Sequence, residues 1–189
     1  MLFRSAEHPR LRLVLVPRHP HRFNEVAALL DRTGLTWQRR SELIGQIAGR
    51  QPRAASPILL VDTVGELAAW WGTATLGFVG GSLQSSRGGQ NMIEPAAYGV
   101  ATCFGPNTQN FRDVVALLLS HEAAVRVASG AELTAFVRRC LAETEYAASL
   151  GRRAAALVRR QHGATARTWE LLEPLLPPAN LPQAIRPAA

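Results

Sequence analysis

Lysine is absent from this chain: all 21 of its basic residues are arginine. With alanine abundant as well, this reads as a coding bias rather than as a basic face selected for a polyanion. A net charge of +7 and a pI near 11.1 would otherwise suggest such a face. The arginines are scattered, doubled only at Arg39-Arg40, Arg138-Arg139, Arg152-Arg153 and Arg159-Arg160, and no nucleic-acid partner is expected. Cysteine is scarce too. Cys103 and Cys140 stand far apart without C-x-x-C spacing, which argues for buried free thiols in a reducing compartment. No set of Cys, Asp or Glu completes a tetrahedral site around His19 and His21, so no metal is expected. No apolar run approaches the ~18 residues that a membrane span needs, and no signal-peptide core opens the chain; the expected location is the cytoplasm. The dinucleotide fingerprint G-x-G-x-x-G and the P-loop G-x-x-x-x-G-K-[ST] are both missing. No Ser-His-Asp or Cys-His set can be ordered either, and no catalytic residue is assigned within the chain.

What is present is enough apolar material, 47% of 189 residues, for the core of one domain. Apolar runs alternate with segments of helical period, the pattern of an α/β domain with a mainly parallel, doubly wound, Rossmann-like sheet. Strands are expected at Leu11 to Val16, Leu35 to Arg39, Ile58 to Val61, Leu76 to Val79, Val100 to Phe104 and Ala124 to Val127. Helices are expected from Arg22 to Arg32, Val64 to Gly72 and Asn91 to Tyr98, then after Gly105-Pro106-Asn107 through Leu119, and from Ala131 to Leu141. Asp62 or Thr63 is expected to cap the second of these. Two further helices follow, up to His162-Gly163 and from Ala164 to Leu176. Residues 1–163 are read as the domain proper, 164–176 as a C-terminal helix and 177–189 as a proline-rich mobile tail.

The segment Phe78 to Pro95, FVGGSLQSSRGGQNMIEP, carries the most chemistry. It joins a strand to a helix through Gly80, Gly81, Gly88 and Gly89, which permit backbone conformations that turn N–H groups toward an anion. A helix starting near Asn91 adds its positive end. Glu94, one turn in, can accept bonds from two neighbouring hydroxyls, as on a ribose. In an open parallel sheet ligands gather beyond the carboxyl ends of the strands, and four loops fall there: Pro17-Arg18-His19, Asp62 to Glu66, Gly80 to Glu94 and Gly105 to Asn110. Arg18 is the natural fork for a phosphate. The plainer readings are a structural ion pair for Arg18, a dipole-complementing residue for Glu66, and core packing for Trp70 and Trp71.

The motifs VPRHPHRF, VDTVGELAAWWGTATLGFVGGSL and RGGQNMIEPAAYGVATCFGPNTQNF resemble, in order and spacing, the C-terminal half of bacterial 3-deoxy-D-manno-octulosonic acid (Kdo) transferases, over about Leu11 to Leu172. The resemblance implies a GT-B glycosyltransferase that moves Kdo from CMP-Kdo to a lipid A precursor in lipopolysaccharide synthesis, on the cytoplasmic face of the inner membrane. It implies nucleotide-binding roles for Pro17, Arg18, Val64, Gly65, Glu66, Gly81, Ser82, Gly88, Gly89, Asn91, Met92, Ile93 and Glu94, with no cofactor beyond the donor substrate. Valine stands at 64 where the family carries methionine, and Gln90 replaces a histidine. The family's N-terminal acceptor-binding domain, with its glutamate base, has no counterpart in these residues, so the chain is expected to bind CMP-Kdo and to be inactive unless that domain is supplied in cis or in trans. Two alternatives stay open: a non-catalytic nucleotide-binding module or truncated product, and another GT-B transferase or an epimerase using UDP- or GDP-sugars.

Overall fold

The computed structural model describes residues 8–44, 56–83, 88–161 and 163–175. The tail expected at 177–189 lies outside the described residues, as do Gln84 to Arg87 of the glycine loop and residues 45–55. Among the described residues six short strands alternate with helices in chain order: β1 Leu13–Leu15, α1 Phe23–Asp31, β2 Trp37–Arg39, α2 Arg40–Ile44, β3 Ile58–Leu60, α3 Leu67–Thr73, β4 Leu76–Val79, α4 Ile93–Ala97, β5 Ala101–Phe104, α5 Arg112–Ser120 and β6 Val125–Arg126. Three helices follow among the described residues, α6 Gly130–Ala142, α7 Thr144–Gln161 and α8 Ala164–Leu172. Every ladder is parallel, as strands joined through crossover helices must be.

The strands form two three-stranded ladders, β1-β3-β2 and β4-β5-β6, rather than the one hydrogen-bonded sheet the sequence leads one to expect. Pro17 follows closely on β1 and offers no backbone N–H. Among the described residues β1 pairs only with β3, Leu13 to Leu15 lying against Ile58 to Leu60. In the second ladder β5 is central and buried at all four positions, which is why it reads as an unbroken apolar run. Its successive side chains point to opposite faces. Phe104 joins Val79, Met92, Ala96, Val115, Leu118, Ala154 and Leu157 in one cluster, beneath α4, α5 and α7. Ala101 and Cys103 join Val127, Phe136, Cys140, Ala147 and Leu150 in another, beneath α6 and α7. Ala27 and Leu30 of α1 cover Ile58 and Leu60 in the first ladder.

Ser129 caps α6 by accepting from the N–H of Glu132 at 3.2 Å, and the Glu132 carboxylate accepts in return from the N–H of Ala128 at 2.8 Å. Helix α3 begins at Leu67, three residues later than expected, and Glu66 at its N-cap makes no side-chain cap bond. Asp62 does not cap it because its carboxylate is engaged by Ser41 and Arg39. Thr63 Oγ1 is buried without a hydrogen-bond partner among the described residues. Trp71 packs on Gly77 of β4, where an added Cβ would lie 2.7 Å from the indole, but Trp70 and Trp71 are both only half-buried, so the core packing of the plainer reading is reached only in part. No helix among the described residues is long and apolar enough to cross a membrane.

Candidate functional site

The loops after β1, β3, β4 and β5 leave the carboxyl ends of their strands, where the topology gathers ligands. The glycine loop is fixed chiefly from inside. Gly81, Gly88 and Gly89 have φ of 71°, 77° and 81°, a region that costs other residues about 1 kcal/mol or more. Gly80, by contrast, is not among the residues with positive φ. The N–H of Gly89 donates to the Gly81 carbonyl at 3.0 Å and that of Gln90 to the Gly80 carbonyl at 3.2 Å. These two donors close the loop upon itself and do not face an anion, contrary to the simplest reading of the glycines.

Ser82 is the hub between the β4 and β5 loops. It is completely buried; its hydroxyl donates to the Val79 carbonyl at 2.5 Å and accepts from the N–H of Gly105 at 2.8 Å. Its carbonyl accepts from Asn107, from the backbone N–H at 2.8 Å and from the side-chain amide at 3.2 Å. The hydroxyl's proton and one of its two acceptor positions are therefore engaged by protein. Asn110 donates its backbone N–H to the Gly88 carbonyl at 3.3 Å. An added Cβ at Gly88 would lie 2.7 Å from the Asn110 side chain, and one at Gly89 would lie 2.9 Å from Met92 Cε.

At the start of α4, Asn91 Oδ1 accepts from the N–H of Ile93 at 2.9 Å, and Asn91 Nδ2 donates to Glu94 Oε1 at 3.1 Å. The asparagine, one residue before the N-cap Met92, thus takes the first backbone N–H of the short helix and fixes the carboxylate beside it. Met92 is fully buried in the core while Ile93 is exposed, so the chain enters the helix with alternate residues inward and outward. Arg18, after Pro17, reaches across from the first ladder: its Nη1 donates to Gln90 Oε1. The structural ion pair that a plain reading allowed Arg18 is not formed among the described residues. His19 and His21 stack with ring centroids 5.4 Å apart and are both exposed. No group of three or more His, Cys, Asp or Glu among the described residues is placed to hold a metal.

The turn Val64-Gly65-Glu66 is held from beneath. Gly65 has φ of 91° with open space where a Cβ would stand, so glycine is needed there for conformation rather than for room. Glu66 pairs with Arg40 at 2.9 Å. Below it Asp62 accepts from the Ser41 N–H at 2.9 Å, the Ser41 hydroxyl at 2.7 Å and Arg39 Nη1 at 3.2 Å, and Arg39 Nη2 donates on to Asn24 at 3.1 Å. Burial by itself raises the Asp62 pKa, but the two Ser41 bonds and the Arg39 bond outweigh it, and the carboxyl titrates below its ordinary value. No hydrogen bond among the described residues joins this turn to Arg18 or to the glycine loop; α3 packs against α4 instead. Arg39, Arg40 and Ser41 are supports that the sequence did not single out. The Arg39-Arg40 doublet, standing one strand before the turn, was their only trace.

Comparison with known proteins decides what such loops belong to. The chain is 36% identical over 168 residues to the 3-deoxy-D-manno-octulosonic acid transferase of Bordetella pertussis, covering 89% of this chain and 38% of that protein. It is 35% identical over 172 residues to the enzyme of the same name from Haemophilus influenzae, 90% of this chain and 39% of that protein. Its fold matches the crystal structure of the C-terminal CMP-Kdo binding domain of WaaA from Acinetobacter baumannii with a TM-score of 0.73 and 31% identity, over 82% of this chain and 77% of that one. The chain belongs to the Kdo transferase family. Within that family it spans about two fifths of the length of the curated relatives, the stated shares being 38% and 39%. No family model matches the chain. The α/β, Rossmann-like reading and the C-terminal half of a GT-B Kdo transferase named by the motifs both hold.

Proposed function

We propose that this chain is the donor-binding domain of a Kdo transferase and binds CMP-Kdo. The observation that carries the reading is the meeting of Arg18 with the glycine loop at the carboxyl ends of the strands, in a chain whose fold matches a CMP-Kdo binding domain. Arg18 and the start of α4 at Asn91 take the phosphate, through the guanidinium and the backbone respectively, with Met92 anchoring that turn in the core. Glu94, with one oxygen fixed by Asn91, takes ribose hydroxyls on the other. The turn Val64-Gly65-Glu66 meets the base or sugar through its backbone, since the Glu66 carboxylate is paired with Arg40. Gly81, Gly88 and Gly89 shape the loop, and Ser82 secures it from within.

Transfer needs an opposite wall. Val64 is 78% exposed and Ile93 40% exposed at the rim of the proposed site, which supports a site covered in the working enzyme. In this reading an acceptor-binding domain, in cis or in trans, brings a lipid A precursor and a base. The base takes the proton of the acceptor hydroxyl, whose oxygen attacks the Kdo anomeric carbon, and the bond to the phosphate breaks with CMP leaving. Arg18 and the α4 start stabilise the charge on that phosphate. Titration calorimetry with CMP, and then with Arg18→Ala and Glu94→Ala, tests the assignment. Each substitution is expected to weaken CMP binding by about tenfold or more, the loss of one charge-assisted contact. Unchanged affinity in both would remove the site from these loops.

A further inference from the structure

We infer that Gln90 is a positioning residue, holding Arg18 in the orientation from which its guanidinium meets the donor phosphate; this rests on the reading of these loops as a nucleotide site. The two residues are 72 positions apart, in loops that follow strands of different ladders, yet Arg18 Nη1 donates to Gln90 Oε1. Arg18 is exposed and forms no ion pair among the described residues. Without Gln90 it would have to be ordered by the ligand, at a cost in rotamer freedom.

Gln90 itself is well supported. Its backbone N–H is fixed on the Gly80 carbonyl at 3.2 Å, and its amide lies over Gly81, where an added Cβ would stand 3.3 Å from Nε2. The bare glycine backbone thus makes a floor for the glutamine side chain, and that side chain makes a seat for the arginine. The chemistry of the acceptor suits a holder. An amide carbonyl orients a guanidinium without neutralising it, and one donor of the five is engaged, leaving the others for phosphate oxygens. A carboxylate at the same position would pair with the charge and compete with the ligand.

The test has two arms on the full chain. In the first, without ligand, the arginine Nε–H groups are followed by ¹⁵N relaxation, with Arg18 assigned by the signal lost in Arg18→Ala. An ordered Arg18 that becomes mobile in Gln90→Ala is expected. An Arg18 equally mobile in both proteins overturns the inference whatever the chain binds. In the second arm CMP and cytidine are titrated into wild type, Gln90→Ala and Gln90→Glu. Gln90→Ala is expected to weaken CMP by about two- to tenfold, the cost of ordering one long side chain, and Gln90→Glu to weaken it further. Cytidine, which has no phosphate, is expected to bind all three alike. The double variant Arg18→Ala/Gln90→Ala is expected to match Arg18→Ala alone. CMP binding unchanged or tightened in Gln90→Ala, or cytidine weakened as much as CMP, overturns the inference. Failure of wild type to bind CMP would count against the site reading instead, with the holding of Arg18 then judged by the relaxation arm.

Discussion

Helix α4, which carries the proposed ribose and phosphate contacts, is kept in place by a backbone-to-backbone approach at Gly99 and Gly151. A Cβ built on Gly151 of α7 meets the Gly99 carbonyl oxygen and stands 2.7 Å from the carbonyl carbon. Neither partner can yield cheaply. Gly99 has φ of 72° and donates its N–H to the Ala96 carbonyl at 3.0 Å, closing α4. Gly151→Ala must therefore push α4 and α7 apart, loosening Met92 and Ala96 against Ala154 and Leu157. Overpacking of this kind costs about 1–3 kcal/mol, with backbone clashes toward the upper end. The helix-propensity gain of alanine over glycine returns about 0.5–1 kcal/mol, so a net loss of about 1–2 kcal/mol is expected. For a chain of this size that is a fall in Tm of about 2–8 °C. Gly130, at the first turn of α6 with open space around its missing Cβ, supplies the control, and Gly130→Ala is expected to be neutral or slightly stabilising. Thermal melts of the three proteins, each followed by CMP titration, decide the matter. A Gly151→Ala protein as stable as wild type would mean that propensity alone governs the position and would refute the close approach of α4 and α7.

Ser82→Ala leaves the buried Gly105 N–H without its acceptor and is expected to cost about 1–3 kcal/mol; a denaturation midpoint unchanged from wild type would contradict the hub. Asp62, titrating below its ordinary value, contributes stability that is present above the unfolded value of about 3.9 and lost as pH falls through the folded one. Asp62→Asn is expected to lower stability at neutral pH and to flatten its acid limb, and denaturant melts from neutral to acid pH would show whether that limb is unaffected. Burial pushes the Cys140 thiol up to about 11 and Cys103 higher still. A raised thiol pKa adds stability that is complete below the ordinary value of about 8.5 and is lost as pH rises above it. Neither thiol is expected to react with alkylating reagents at mildly alkaline pH until the protein unfolds, and rapid native labelling of either would contradict their burial.

The strands were legible because a buried parallel strand is written as a short apolar run. Leu76 to Val79 was placed to the residue, and the other runs shortened by one to three residues at their ends. The special conformations of Gly81, Gly88 and Gly89 were legible because glycine is itself the local mark of a positive φ, although Gly80, read the same way, does not have one. What escaped was long-range. A serine in a glycine-rich loop carries no mark of full burial; Ser82 is buried because Gly105, 23 residues on, approaches it. Asp62 has the look of a helix cap, and only the return of Ser41 and Arg39 from the preceding strand and helix explains why it does something else. The arginine doublet at 39–40 looked like scattered charge and is instead a pair of struts, one to Asp62 and one to Glu66. Gln90 stood out as a departure from the family's histidine, but its contact with Arg18 could not be read from a position 72 residues away.

The central claim is that this chain carries a CMP-reading donor site at the meeting of Arg18, the glycine loop and the start of α4. Titration calorimetry of the full chain with CMP, UDP and GDP tests it most directly. Binding of CMP at ligand concentrations where UDP and GDP give no heat is the predicted result, and binding of UDP or GDP without CMP would contradict it.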